Sequence, residues 1–369
     1  MKKIVIVSTY PEKGSMNIGD QLITDTLIEN ISYVAKQKKI EFEIEVVFRA
    51  DTWEEVKGSL INSDFIVFAC LAIRPRMSEI EYPYLSKLIE LNKPFGVVAA
   101  GTSLPVTSIH GNLLASFSQD TIALLRKIAA QSSFFTTRGV LTHSLCKEIG
   151  LEKIFFSGDI AFYSEYTQIK KFKSVDNVEN ISISSPHNPK EYESSLESLV
   201  TGIKKLFPRS NVRLVQHGVS DFFREFTEKH NIELVEAYKD KKFGLRIYDN
   251  TDLHVGYRVH AHVSSLKRKI PSYLLEQDGR GTDYGLTLDV KCTVPNYAES
   301  FNFIDFVKNP SHIKLTSRLK VVSAMPAQLI LSMIDADKNS NFTKFLALES
   351  QVNWFSTNHS SYLSSIFEG

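Results

Sequence analysis

Short apolar runs alternate with helix-length amphipathic stretches through most of this chain, and no other feature limits its fold as strongly. In the first half, Ile4 to Ser8, Ile44 to Phe48, Phe65 to Cys70, Phe95 to Ala99 and Phe134 to Thr137 read as buried strands. Between them, Leu22, Thr26, Ile28 and Ile31, then Leu85, Leu88 and Leu91, then Ile122, Leu125 and Ile128 recur at helical spacing. Helix-length crossovers between buried strands imply a parallel sheet covered on both faces.

The rhythm breaks after Asp159, in the polar, lysine-rich stretch YTQIKKFKSVDNVEN. It restarts with strands at Ile181 to Ser185, Val212 to Gln216, Ile232 to Val235, Leu253 to Val255 and Ser272 to Leu275, with helices over about 192–207 and 222–230. The expected fold class is α/β: two doubly wound, Rossmann-like domains, 1–165 and 176–310, facing each other across a cleft. Helical patterns such as Leu329, Ile330, Met333 and Ile334 make 311–369 a tail expected to pack back on the body.

A length of 369 residues suits two domains of ordinary size. The net charge of +1 and the lack of a basic run argue against a nucleic-acid partner. Cys70, Cys146 and Cys292 are odd in number and widely spaced, which implies neither a disulfide framework nor a metal pair. The opening MKKIVIVST reads as a first strand, because its apolar core is too short for a secretory signal. No segment has the length of a membrane span. A cytoplasmic location is expected.

Ligands of such folds lie at the carboxyl ends of strands, so residues there are the site candidates. Asn17-Ile18-Gly19-Asp20 follow the first strand and open the first helix. Gly19 permits a tight turn, and Asp20 suits an N-cap or a ligand contact. Thr137-Arg138-Gly139 put an arginine at a helix start, where its charge opposes the dipole unless an anion sits there. In VGYRVHAHVSSL, Arg258 and His260 project toward the cleft beside helix N–H groups, an arrangement suited to a polyanion, while His262 faces elsewhere. Gln216-His217-Gly218 and Gly101-Thr102-Ser103 also end strands and are weaker candidates, as is Asp159, a cap or a cleft residue. The stretch DGRGTDYG, 278–285, reads as a mobile loop with a ligand contact through Arg280.

Taken together, the NIGD opening, TTRGVLTHSLCKEIG followed by SGDIAF, and DLHVGYRVHAHVSSL resemble the polysaccharide pyruvyl transferase family. The matching positions are Arg138, Ser144, Leu145, Gly150, Asp159, Ala161, Phe162, Arg258, His260 and Ala261. The chain departs from the family pattern at FIVFACLAIRPRM, where a glycine-rich turn is common, at Gly139, where an acidic residue is frequent, and at Ile160, where proline is. The resemblance implies a fold similar to GT-B glycosyltransferases and transfer of a pyruvyl group from phosphoenolpyruvate to a sugar of a surface polysaccharide, as a ketal.

On that resemblance His260, Arg258 and Asp20 are the expected catalytic residues. Arg138, Asn17, Gly19, Thr102, Ser103, His217 and Arg280 are expected to bind substrates. Phosphoenolpyruvate enters as donor substrate, and no cofactor or metal is expected, since arginines supply the positive charge. The other expected partners are a sugar, lipid-linked or oligosaccharide acceptor, and at most a peripheral contact with a membrane assembly complex. Two alternatives stay open: a GT-B glycosyltransferase using a nucleotide sugar, and a non-catalytic glycan-binding or scaffold protein.

Overall fold

Alternation along the first strand shows how the layers are built. In the computed structural model, which describes residues 1–10, 18–104, 106, 113–164, 170–240, 243–296 and 322–368, β1 (Lys2–Ser8) is an interior strand of the first sheet. Its Ile4 and Ile6 join one buried cluster, whereas Val5 and Val7 join another on the opposite face. This period of two on a strand buried on both sides is what a doubly covered parallel sheet demands.

The first sheet also contains β2 (Phe42–Phe48), β3 (Phe65–Ala69), β4 (Ala72–Ile73), β5 (Phe95–Thr102), β6 (Phe134–Thr137) and β7 (Phe155–Phe156). All pairings are parallel, in the order β2-β1-β3-β5-β6-β7, with β4 beside β5. One face is covered by α1 (Ile18–Lys38), through Ile23, Leu27, Ile31 and Val34. The other is covered by α2 (Trp53–Asn62), by the short α3 (Met77–Ile80) and α4 (Leu85–Glu90), by α5 (Gln119–Gln131) and by α6 (Val140–Ile149).

The second sheet is built from β8 (Asn180–Ser184), β9 (Asn211–Val215), β10 (Glu233–Val235), β11 (Leu253–Gly256), β12 (Ser272–Glu276) and β13 (Thr293–Pro295), in the order β10-β9-β8-β11-β12-β13, again parallel. Its helices include α7 (Glu193–Leu206), α8 (Phe222–His230), α9 (Val259–Lys267) and α10 (Gly279–Thr287). The strand order reverses between β1 and β3 in one sheet and between β8 and β11 in the other. Such reversals open a crevice at the carboxyl ends of the strands.

The tail divides between the layers. Helix α11 (Met325–Lys338) lies on α7, where a side chain at Gly202 would strike Leu331, and its Asp337 accepts a 2.5 Å hydrogen bond from Tyr273 Oη of β12. Helix α12 (Glu349–Leu363) returns to the first sheet: Trp354 stacks on Phe156 at 5.7 Å, and Ser360 bonds Asn30 of α1.

The strands expected from sequence are present, with ends shifted by up to three residues. Strands β4, β7 and β13 were not anticipated, because two or three residues carry no readable period. The expected mobile loop at 278–285 is instead the start of α10: Asp278 is its N-cap and accepts from Arg280 N. A glycine pattern read as loop chemistry serves close packing there, since a side chain at Gly279 would meet the Leu104 carbonyl. Asn17 and the expected domain limits at 165 and 310 lie outside the described residues.

Candidate functional site

Both topological switch points point into one interdomain crevice. A cleft of about 450 Å³ is lined from the first domain by Thr9, Asp20, Phe48, Arg49, Cys70, Arg74, Thr102, Ser103 and Arg138, and from the second by His260 and Arg280. His260 and Arg280 also line a notch of about 10 Å³ in the second domain, with His187, His217, Arg258 and Asp278. That notch has room for a water-sized group only.

Arg258 sits at the switch point of the second sheet, between the ends of β8 and β11. Gly256 bends the chain toward it at φ +152°, and a side chain there would come within 2.5 Å of the Ser184 backbone. The guanidinium donates to Ser185 O (2.8 Å) and Pro186 O (3.2 Å) and contacts the His187 ring, with no carboxylate among these partners. Burial, followed by the charge of Arg280, pulls Arg258 down to about 9. Among the described residues this buried guanidinium bonds only carbonyls and an imidazole, and such a cation is short of an anion.

The turn beneath Arg258 is held by a buried chain of hydrogen bonds whose directions can be assigned. Ser184 Oγ accepts from Tyr257 N (3.0 Å) and Arg258 N (3.1 Å), so its proton goes to His254 Nε2 (3.0 Å). His254 Nδ1 then donates to Ser272 Oγ (2.7 Å), Ser272 donates to His262 Nδ1 (2.7 Å), and His262 Nε2 faces Cys292 Sγ at 3.9 Å. This chain needs both imidazoles neutral. Burial holds His254 well below the usual histidine range and His262 at about 3. His262 therefore faces the core, away from the cleft, as its position in the helix implies.

His260, in the first turn of α9, is 6% exposed and presses on α1: a side chain at Gly19 would lie 2.0 Å from its Nδ1. Its buried Nε2 has no hydrogen-bond partner. Burial lowers its pKa, against the opposing pull of Asp20 and Asp159, so the ring is neutral at pH 7 without a ligand. Asp20 is the third residue of α1 and lines the cleft; it is not the N-cap expected.

Arg138 corrects another expectation. The anion at the start of α6 comes from the second domain: Asp283 of α10 accepts from Leu141 N (2.9 Å), Thr142 N (3.4 Å) and Thr142 Oγ1 (2.5 Å). Its Oδ2 lies 3.8 Å from Arg138 Nε. Burial opposes the charge on Arg138, but Asp159, Tyr284 and Asp283 outweigh it and raise its pKa. Arg138 Nη2 donates to Thr102 O, and Tyr284 Oη donates to Asp159 at 2.5 Å, a second bond between the domains. Asp159 also caps a short turn through Ala161 N, so it is a cap tied to the other domain.

Arg280 is paired with Asp278 at 2.5 Å; burial works against that carboxylate, and Arg280 overrides it and holds it at about 2. His217 lines the notch, buried, with Nε2 bonded to Tyr248 Oη at 2.7 Å. Thr102 Oγ1 is engaged by Leu104 N, and Ser103 lines the cleft. His187, Asp278, Asp283, Arg49 and Arg74 were not read from sequence. His187 alone carried a signal, as it follows a strand at the switch point (SISSPH).

Burial lowers the pKa of His217, His254, His260, His262 and His359 in the folded state alone. The unfolded chain then binds more protons below about pH 6.5, so stability is complete above that pH and falls on acidification toward these lowered values. Thermal midpoints measured from pH 7.5 to 4.5 should decline below about 6.5; a level profile down to pH 5 contradicts this assignment.

The chain is similar in structure to the UDP-GlcNAc 2-epimerase of Methanocaldococcus jannaschii, at 13% identity over 91% of this chain and 100% of that one, with a TM-score of 0.47. It is also similar to S. aureus MnaA in a UDP co-structure (12%, 92% and 97%, 0.48) and to a Thermobaculum terrenum O-GlcNAc transferase mutant (11%, 100% and 66%, 0.49). No curated protein matches it. The family model for polysaccharide pyruvyl transferases matches residues 17–279, a span that takes in Asp20, Arg138, Arg258 and His260. On that match the chain belongs to the polysaccharide pyruvyl transferase family.

Proposed function

We propose that the protein transfers the pyruvyl group of phosphoenolpyruvate to a sugar of a surface polysaccharide or its precursor, forming a pyruvate ketal. The observation that carries this reading is Arg258, which pairs with no carboxylate among the described residues and lines the notch with His187, His260 and Arg280, the last two of which also line the crevice with Arg138. Phosphoenolpyruvate concentrates a carboxylate and a phosphate on three carbons, and convergent cations in a partly dry cleft suit it. Because the notch is small, the phosphate seats at its mouth, where the exposed His187 ring can move aside.

In this mechanism a proton is added to the methylene carbon, leaving an oxocarbenium-like centre at C2. One sugar hydroxyl attacks C2, the C2–O bond to phosphate breaks, and a second hydroxyl closes the ketal. Of the two hydroxyl protons, one balances the new methyl group and the other leaves with the phosphate. His260 gains a proton as the ligand's negative charge offsets its burial, and delivers it to carbon or to the departing phosphate. Arg258 and Arg138 hold the anionic groups, and Asp20 receives a hydroxyl proton or orients the acceptor. Asn17, Gly19, Thr102, Ser103, His217 and Arg280 complete the proposed binding site.

The test is thermal unfolding with phosphoenolpyruvate, with nucleotide sugars and inorganic phosphate as controls. Selective binding to the folded state raises the midpoint, by the equivalent of about 2.7 kcal/mol at a hundredfold excess over Kd. The expected result is a shift with phosphoenolpyruvate that Arg258→Ala removes. A shift with nucleotide sugars alone sinks the proposal and favours a glycosyltransferase.

A further inference from the structure

Four arginines, Arg49, Arg74, Arg138 and Arg280, line the cleft and are spread along its length. Arg49 follows β2 at one margin of the first sheet, and Arg138 follows β6. Four strand steps separate β2 from β6. At about 4.8 Å per step, their ends lie roughly 19 Å apart. The carboxylate and phosphate of phosphoenolpyruvate are attached to adjacent positions of one carbon skeleton, so groups held by Arg138 and Arg258 leave Arg49 without a role.

Arg49 and Arg74 nevertheless line the same cleft as Asp20 and His260. The Arg49 guanidinium lies over the Tyr82 ring at 5.8 Å and makes no ion pair with a described carboxylate. Tyr82 is itself fixed, 2% exposed, with its hydroxyl accepting from Ala72 N at 2.9 Å. Arg74 follows β4, beside the end of β5, and pairs with Glu81 through Nη1 at 2.9 Å, while its Nε is buried without a partner. Among the described residues Arg49 lacks a counter-charge and Arg74 has an unfilled donor; Arg49 stands at the β2 margin of the sheet, and Arg74 stands between it and Arg138.

We propose that Arg49 and Arg74 bind an anionic group carried by the acceptor saccharide, a phosphate ester or a carboxylate, toward the β2 end of the cleft. This rests on the transferase reading for the word acceptor, but the anion subsite itself does not. The accepting hydroxyls then lie between the two ends, near Thr9, Asp20 and His260, where a pair of hydroxyls can reach the ketal carbon. A fixed anion at one end and a donor trianion at the other set the orientation of the sugar between them.

The experiment is a ligand-observed NMR titration of the full chain with glucose, glucose 1-phosphate and glucuronate, with and without phosphoenolpyruvate. Either charged sugar is expected to bind at least tenfold more tightly than glucose. Preference for glucose 1-phosphate identifies a phosphate ester, and preference for glucuronate a carboxylate. Arg49→Gln should erase the preference and leave the phosphoenolpyruvate shift in thermal unfolding intact. Arg74→Lys, which keeps a cation for Glu81, should reduce the preference several-fold. Equal binding of all three sugars, or a preference that survives Arg49→Gln, overturns the proposal. A charged-sugar preference without any phosphoenolpyruvate shift instead removes the donor reading and leaves this subsite standing.

Discussion

His260→Ala is expected to lower kcat by about 10²–10⁴-fold, the range that a positioned general acid contributes, while the fold and the binding of phosphoenolpyruvate persist. The fold should survive because Nε2 makes no hydrogen bond that the variant would lose. Binding should survive because the proposed donor site keeps Arg258, Arg138 and Arg280. The pH dependence gives a second check. With burial keeping the imidazole below its usual range in the free protein, a proton-donor role makes kcat/KM fall as pH rises through that lowered value. The bound trianion favours the imidazolium, so the matching limb in kcat lies at higher pH. Both limbs should vanish in His260→Ala. Near-normal turnover in that variant would falsify the assignment.

Asp283→Ala is expected to cost stability on the scale of breaking a buried ion pair, roughly 3–5 kcal/mol. The carboxylate is 1% exposed and accepts from two N–H groups and a hydroxyl at the start of α6, while facing Arg138. Its loss leaves those donors dry and a buried guanidinium with one less counter-charge. Because α10 and α6 belong to different sheets, the change also loosens the crevice in which the proposed catalytic groups meet. Asp283→Asn retains one acceptor oxygen and should fall between the two in urea unfolding. A loss under about 1 kcal/mol for Asp283→Ala would show that the domains are held together elsewhere, through Tyr284 and Asp159 or through the tail.

Cys70 and Gly139 stand where the chain departs from the family pattern. At the stretch FIVFACLAIRPRM, Cys70 has a left-handed backbone, at φ +55°. A non-glycine residue there costs about 1–2 kcal/mol. Cys70 thereby lines the cleft floor. Gly139, where the family often has an acidic residue, is explained by proximity: a side chain there would lie 2.0 Å from Asp283 Oδ1. The chain places a carboxylate at this point from the other domain.

Strands and helices were legible in the sequence because burial on both faces writes long apolar runs, and crossovers write helical spacing between them. The ends of those strands, and with them Asp20, Arg138, Arg258 and His260, were legible for the same reason, since a doubly wound sheet carries its ligand there. The helical character of 278–287 was not: Gly279, Gly281 and Gly285 are small because backbone and side chains approach them, and local propensity alone reads them as loop.

What the sequence determined by itself was the two-sheet α/β plan and the strand ends on which cations would converge. Partnership was decided only in three dimensions. Asp283 reaches Arg138 across 145 positions of chain, His260 packs on Gly19 across 241, and Arg258 is left facing carbonyls of the Ser185–Pro186 turn. Periodicity records which side of an element is buried, because that depends on neighbours three or four residues away. Which charge meets which depends on how two separately folded sheets dock, and no local pattern encodes it.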